Sequence, residues 1–341
     1  MPDTKSTPTI RDVAAIAGVS IAAVSRFVNQ KQRFTPEVEQ RIATAIAKLG
    51  YHSNAAARSM ATGRSGAVAA LVAGVDNPHA ASLVKGLCRV AMAEGFDVLF
   101  VDTLHSASPR DELERVMGMQ VDGLVIAAPM PTGTGELLAR YGRPFIDLSR
   151  RRGQWPGPAN GNDAARPSNQ EAAGALLGRY LLRNGHHRIT YIACADMTSN
   201  QERLQGLRQT LASEGRLLTV CHASAATAEG GAAVASSVLL AADRPDAVVA
   251  CNDLVAMGLL SEARLLGVSV PGDVSVAGIE NAPFGRYLSP ALTSVELHAD
   301  ELGTLAMIHL LAAIRGESEP ANLQLPEPKL VVRDSTRARA L

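Results

Sequence analysis

Apolar residues recur at helical spacing over the first fifty positions of this chain and in short continuous runs thereafter. Thr9 to Asn29 reads TIRDVAAIAGVSIAAVSRFVN. Val13, Ile16 and Ala17 fall on one face of a first helix. Thr9 with Asp12 three residues on is a capping signal at its start, and Gly18 a left-handed stop at its end. Ser20 caps a second helix, whose Val24 and Val28 lie four apart and pack back on the first. Thr35-Pro36 opens a third helix with Val38, Ile42, Ala45, Ile46 and Leu49 as its apolar stripe, ended by Gly50. Asn54 to Met60 (NAAARSM) follows as a short alanine-rich segment, marginal as a helix on its own in water.

From Ser65 onward the pattern changes. Strands are expected at 68–72, 96–101, 123–127 and 145–148, with helices near 80–94, 110–119 and 134–141. A second series of strands is expected at 189–193, 217–220, 247–250 and 274–277, again with helices between. Continuous apolar strands separated by helices predict parallel sheets covered on both faces. The fold class is therefore α/β, with a helical headpiece and two doubly wound parallel-sheet lobes. Arg151 to Ser168, rich in Gly, Pro and Asn, reads as a crossover between them. Ligands of such sheets collect beyond the carboxyl ends of the strands, so a cleft is expected between the lobes.

The outer face of the second helix carries Ile21, Ala22, Ser25, Arg26 and Asn29. Slim residues let a backbone approach a DNA groove, one arginine can donate twice to guanine, and Ser and Asn can bond phosphates. Charge agrees with that reading. Residues 1–65 hold nine basic side chains against four acidic ones, while the whole chain is neutral, so a basic module sits on an acidic body. At 341 residues and 47% hydrophobic, the chain can bury a sizeable core. No apolar run approaches the roughly 20 residues of a membrane span, and no signal segment opens the sequence, so a cytoplasmic location is expected. Cys88, Cys194, Cys221 and Cys251 are far apart in sequence and read as reduced core thiols.

In order and spacing these elements resemble the LacI/GalR family of bacterial transcription regulators. The resemblance rests on TIRDVAAIAGVS, AVSRFVN, the T-P-E-V helix start, the LGY turn and N-x-x-A-R-S-M. It continues through Asn77-Pro78 with Leu83-Val84-Lys85-Gly86, Gly185-His186 into Ile189, Arg203-Leu204-Gln205-Gly206 and Cys251-Asn252-Asp253. Leu292-Thr293-Ser294-Val295 and the tail Leu330 to Thr336 complete it. The resemblance implies a headpiece at 1–53, a hinge helix and linker at 54–65, and a two-lobed ligand-binding and dimerisation body at 66–341. Within the body it implies an N-lobe of about 66–158 and 295–320, and a C-lobe of about 159–294 and 321–336. The implied DNA contacts are Thr9, Ser20, Ile21, Ala22, Ser25, Arg26, Asn29, Arg33, Asn54, Ala57 and Met60, with Met60 standing where relatives wedge a leucine into the minor groove.

The resemblance also implies an effector pocket of His79, Ser149, Arg150, Arg203, Asn252, Asp253 and Glu280. Aromatic residues to stack on a sugar face are poorly supplied: His79 and Ala80 follow Asn-Pro, and Ser224, Ala225 and Ala226 precede Gly230. Basic residues (His79, His105, Arg150, Arg203) favour a sugar or an acidic or phosphorylated sugar derivative. The expected partners are a palindromic double-stranded operator, this small molecule and a second copy of the chain, with no membrane and no cofactor or metal. Two other classes compete, a sugar-metabolising enzyme and a periplasmic-type sugar receptor. The sequence carries no G-x-G-x-x-G, G-x-x-x-x-G-K-[ST], H-E-x-x-H or G-x-S-x-G motif to support the enzyme.

Overall fold

A computed structural model of the chain describes residues 8–28, 32–51, 63–104, 106–131, 134–148, 169–194, 199–317 and 326–337. The chain divides into two compact units, residues 1–65 and 66–341. In the first unit α1 (Ile10–Ala17), α2 (Ile21–Val28) and α3 (Pro36–Leu49) pack around Val13, Ala14, Ala17, Val24, Ile42 and Ala45. The α1 face differs from the expected one by a step. Ala14 is buried and Ile16 is 49% exposed, because the contact with α3 is made by positions i, i+1 and i+4 of the helix. The capping signals form. The Thr9 N–H and hydroxyl both donate to Asp12 Oδ2 at 2.8 Å, which holds the Asp12 carboxyl below its ordinary range. Gly18 takes φ 63°, in the left-handed region, and the Ser20 hydroxyl accepts from the Ala23 N–H at 3.1 Å.

In the second unit, β1 (Ala67–Val72), β2 (Asp97–Asp102), β3 (Gly123–Ala127) and β4 (Phe145–Asp147) form a parallel sheet in the order β2-β1-β3-β4. Alternate residues of β1 serve opposite faces. Val68 and Ala70 pack with Leu83 and Leu87 of α4 (Pro78–Ala93), while Ala69 and Leu71 pack with Leu113 and Val116 of α5 (Pro109–Met117) and Leu138 of α6 (Thr134–Tyr141). Burial on both faces is why the strand reads as an unbroken apolar run.

The second sheet has six strands in the order β10-β9-β8-β7-β5-β6. These are β5 (Ile189–Cys194), β6 (Leu218–Ala223), β7 (Ala247–Ala250), β8 (Ser275–Ile279), β9 (Thr293–Glu296) and β10 (Lys329–Val331). The sheet is not wholly parallel, as the run pattern led one to expect: β10 pairs antiparallel with β9, Leu330 opposite Val295. Around it lie α7 (Asn169–Arg183), α8 (Asn200–Ser213), α9 (Ala228–Leu239) and α10 (Asp253–Leu265). After β9 the chain runs into α11 (Ala299–Arg315), whose Met307 and Leu310 join the core of the first sheet with α4. The chain thus leaves the second sheet for the first and returns to the second as β10.

Three helix pairs approach at backbone distance. An added Cβ at Gly206 of α8 would overlap the Glu171 carbonyl oxygen of α7, and one at Gly174 of α7 would overlap the Arg203 carbonyl oxygen of α8. Gly86 with Gly303 does the same for α4 and α11, and Gly231 with Gly258 for α9 and α10. The α7–α8 pair is what fixes the backbone of Arg203.

Candidate functional sites

In the first unit, Ser20, Ile21, Ala22, Ser25 and Arg26 share the outer part of α2, with Ile21 46% exposed. The exposed Arg26 donates through Nε to the Ala22 carbonyl at 3.2 Å and through Nη1 to Gln32 Oε1 at 2.7 Å. Both acceptors are themselves at the surface, so the guanidinium can exchange them for another acceptor at small cost. Thr9 and Arg33 are also exposed. Asn29, Asn54, Ala57 and Met60 lie outside the described residues.

The second unit holds a buried polar cluster beyond the carboxyl ends of β5, β7 and β8. Arg203 of α8 is 1% exposed. Its Nε donates to Gln170 Oε1 at 2.7 Å, its Nη1 to the Cys251 carbonyl, and Nη1 and Nη2 both to Glu280 Oε1 at 3.2 and 3.1 Å. The ion pair is nearly sealed, with side chains 1% and 3% exposed. In such a setting the two charges cancel, and the pair is retained for position rather than for net stability. Glu280 sits at φ 112° and Asn281 at φ 48°, just past β8. A non-glycine residue held at such angles costs on the order of 1–3 kcal/mol, and such positions cluster at binding sites.

Asn252 and Asp253 are buried here too, and each is engaged within the fold. Asn252 caps α10 by accepting from the Val255 N–H at 2.9 Å, and its Nδ2 donates to the Ala226 carbonyl at 2.9 Å. Asp253 accepts from the Ser294 hydroxyl and the Ala282 N–H, both at 2.6 Å. Burial pushes its carboxyl up to about 7, against the smaller opposing pull of those two donors. Ser149, Arg150 and His105 lie outside the described residues.

His79, at the start of α4, faces this region across a pocket. The pocket is lined by Pro78, His79 and Ser82 on one side and Glu280, Asn281 and Glu296 on the other. Burial lowers the His79 imidazole below its ordinary range, so the ring is held neutral. Among the described residues, His79 Nδ1 on the pocket wall, Tyr191 Oη on β5 and Asn200 Oδ1 on α8, the strand and helix that carry the cluster, are buried without a hydrogen-bond partner. Sequence reasoning passed over Tyr191 and Asn200. Asn200 stands three residues before Arg203 and so on the same helix face, a spacing that could have found it. Tyr191 is hidden within an apolar strand run and left no comparable signal.

Elsewhere the histidine pair of the Gly185 turn is structural. His186 Nδ1 lies 3.1 Å from the Leu181 carbonyl and Nε2 lies 2.9 Å from the Ser275 hydroxyl, while the His187 N–H donates to Asp246. Among the described residues no group of three or more His, Cys, Asp or Glu could hold a metal ion, and no helix is long and apolar enough to cross a membrane.

One unit is a three-helix headpiece with an arginine-bearing outer helix, and the other a two-sheet body with a buried polar cluster at its strand ends, the combination expected of a DNA-binding regulator with a ligand-binding body. Residues 9–54 match the bacterial regulatory proteins of the lacI family, and residues 179–336 match the periplasmic binding protein-like domain. The chain is 30% identical over 339 residues to the HTH-type transcriptional repressor PurR of Vibrio vulnificus, covering 96% of this chain and 98% of that one. The chain belongs to the lacI family of bacterial regulatory proteins and is a DNA-binding transcriptional regulator, not an enzyme. It is also 28% identical over 332 residues to the ribose operon repressor of Haemophilus influenzae, covering 96% of this chain and 98% of that one. Its fold matches the lac repressor dimer bound to operator and the anti-inducer ONPF, with TM-score 0.83, 22% identity, and coverage of 98% of this chain and 100% of that one. The complex of the regulator CelR with cellobiose matches with TM-score 0.65 and 27% identity, covering 96% of this chain and 99% of that one.

Proposed function

We propose that this chain is a cytoplasmic repressor that binds a palindromic operator as a homodimer and is controlled by an uncharged polyhydroxy molecule held between its lobes. A two-fold dimer matches the symmetry of a palindrome, each headpiece reading one half-site. Arg26 reads a guanine edge, with Ile21 and Ala22 making apolar contact. Thr9, Ser20, Ser25, Asn29 and Arg33 serve the phosphates, and the Asn54, Ala57 and Met60 segment enters the minor groove.

The observation that carries the ligand half is the unsatisfied His79 Nδ1 in a pocket that also holds Glu280 of the sealed Arg203–Glu280 pair, with Tyr191 and Asn200 unsatisfied on the strand and helix behind it. A buried polar group without a partner costs about 1–3 kcal/mol, and a ligand hydroxyl that both donates and accepts removes that cost. The acidic or phosphorylated derivative favoured by counting basic residues fits less well. Arg203 already shares its charge with Glu280, and the pocket wall adds Glu296, Asp300 and Glu301. Ligand closure of the cleft then biases the headpieces by a shift between two populations of the body.

The test is a thermal-shift screen of neutral sugars beside their phosphates and acids on the full chain. Hits are then added to a mobility-shift assay on inverted-repeat DNA. Neutral compounds are expected to stabilise the protein and change its DNA affinity. Stabilisation confined to the phosphates would sink the ligand reading, and unchanged DNA affinity would sink the coupling.

A further inference from the structure

Cys194 and Cys251 are 57 residues apart in sequence but neighbours in space. Cys194 ends β5, Cys251 follows β7, and the Cys251 N–H donates to the Ile192 carbonyl at 3.0 Å, so their backbones run as adjacent strands. Both side chains are fully buried, and the two sulfurs stand 3.3 Å apart. The contact has a direction. Cys251 S–H donates to Cys194 Sγ, and Cys194 S–H donates to the Ala225 carbonyl, also at 3.3 Å. Cys88 and Cys221 are half-buried on other elements, α4 and the edge strand β6.

We propose that Cys194 and Cys251 form a reversible disulfide on exposure to a peroxide, making them a modification site beside the buried Arg203 cluster. The register Ile192 opposite Ala250 carries Cys251 opposite Ala193, one residue before Cys194. With strands about 4.8 Å apart and a rise of about 3.3 Å, the two Cα atoms stand roughly 5.8 Å apart, within the roughly 4.4–6.8 Å that a disulfide tolerates. The sulfurs need to close from 3.3 Å to about 2.05 Å, a movement of about 0.6 Å each. Cys194 is the attacking sulfur, because it receives the Cys251 S–H and that donor supports a developing negative charge. The same donation, with burial, holds the Cys251 thiol protonated, above its ordinary range.

The steps balance. The Cys194 thiolate attacks one peroxide oxygen and the O–O bond breaks. Hydroxide leaves and takes up the proton that Cys194 released, giving water and a Cys194 sulfenic acid. Cys251 sulfur then attacks Cys194 sulfur and the S–O bond breaks. That hydroxide takes the Cys251 proton as a second water. Two thiols have lost two electrons, and one peroxide has become two waters; an added dithiol reverses the bond by exchange. Burial makes the first step slow, since only an oxidant near the size of water reaches the sulfur. Contact makes the second step fast, because the partner thiol is already in place.

The location gives the bond a consequence. The Cys251 carbonyl accepts from Arg203, and the next residue, Asn252, caps α10. A new bond at Cys251 therefore pulls on the Arg203 station. This consequence for ligand control rests on the function proposed above; formation of the bond does not.

The experiment treats the reduced full-length protein with hydrogen peroxide, then alkylates it with N-ethylmaleimide in denaturant and maps the peptides by mass spectrometry. The expected result is a fall from four maleimide adducts to two, on Cys88 and Cys221. It comes with a Cys194–Cys251 cross-linked peptide, reversal by dithiothreitol and an unchanged far-ultraviolet circular dichroism spectrum. In Cys251→Ser the reaction should stop at a Cys194 sulfenic acid that dimedone captures, and in Cys194→Ser dimedone should label neither position. Four persisting adducts, a bridge to Cys88 or Cys221, or over-oxidation of either sulfur without the bridge would overturn the proposal. Those readouts involve no cleft ligand. A disulfide that forms while neutral sugars fail to bind would leave this site standing and remove only the ligand reading.

Discussion

Arg26 and Arg203 are held in opposite ways. Arg26 lies exposed on α2 with one carbonyl and one amide oxygen as surface partners. Arg203 is buried on α8 with four hydrogen bonds and a carboxylate partner that is itself sealed. The difference separates a side chain free to be redirected from one that fixes its neighbours. An arginine counted from sequence as a cation for a ligand is here already neutralised, so its removal strikes the fold before it strikes binding.

The largest effect should follow from breaking that buried pair. Arg203→Ala leaves the Glu280 carboxylate buried alone and should cost about 3–5 kcal/mol in urea unfolding. Replacing both partners by apolar residues of similar volume, Arg203→Met with Glu280→Leu, should recover most of that stability without restoring any ligand response. A double variant as unstable as Arg203→Ala would show that the other bonds of Arg203, not its charge, hold the site.

Asp253 sharpens the comparison through pH. Its folded carboxyl stands at about 7 against an ordinary value of 3.8. The folded state therefore binds a proton more tightly than the unfolded state does. The group's contribution is fully present below about pH 4 and is lost as pH rises through about 7. The difference in stability between wild type and Asp253→Asn should shift over that window, on the order of a few kcal/mol. Denaturant titrations from pH 4 to 8 measure it, and a flat difference would mean that Asp253 is ionised throughout.

Gly206→Ala should cost about 1–3 kcal/mol, because the methyl must push α8 away from the Glu171 carbonyl. The same change at Gly215, at φ 64° with open space around its Cβ position, tests backbone strain alone and should cost about 1 kcal/mol. Equal losses at the two positions would argue against close helix approach as the cause. Arg26→Ala, at the other extreme, should leave the unfolding midpoint unchanged. Its loss of about 1–3 kcal/mol should appear only in operator discrimination, at one base position. Binding profiled across operator variants decides this, and a uniform loss at every base would make Arg26 a phosphate contact.

Much of the architecture is legible in the sequence because both unit types advertise their burial. Capping residues at Thr9, Ser20 and Thr35 mark helix starts, and strands buried on both faces, such as β1 and β7, are apolar throughout. The antiparallel β10 is three residues long at a sheet edge, its Lys329 exposed, and carries no such signature. Ile16 fits the apolar spacing of α1 yet faces solvent, since spacing fixes a stripe but not its exact centre. The candidate site was legible as a list of positions and not as a set of partners. Arg203 and Glu280 are 77 residues apart, and no local pattern says that they neutralise each other. Nor does it say that Asn252 and Asp253 spend their polar atoms on a helix cap and a loop.

Among the described residues, one passage from the second sheet to the first can be followed completely, and it is very short. Leu297 and His298 alone separate β9 from α11, so four soft dihedrals carry whatever rotation the lobes make there. His298 is already at φ 55°, and its N–H is tied to Glu296 Oε1 at 2.8 Å. The other oxygen of Glu296 accepts from Asn281 at 2.8 Å, beside Glu280 on the pocket wall. One carboxylate thus belongs to two places at once: it ties the wall of the pocket, through Asn281, to the first step of the crossing, through His298.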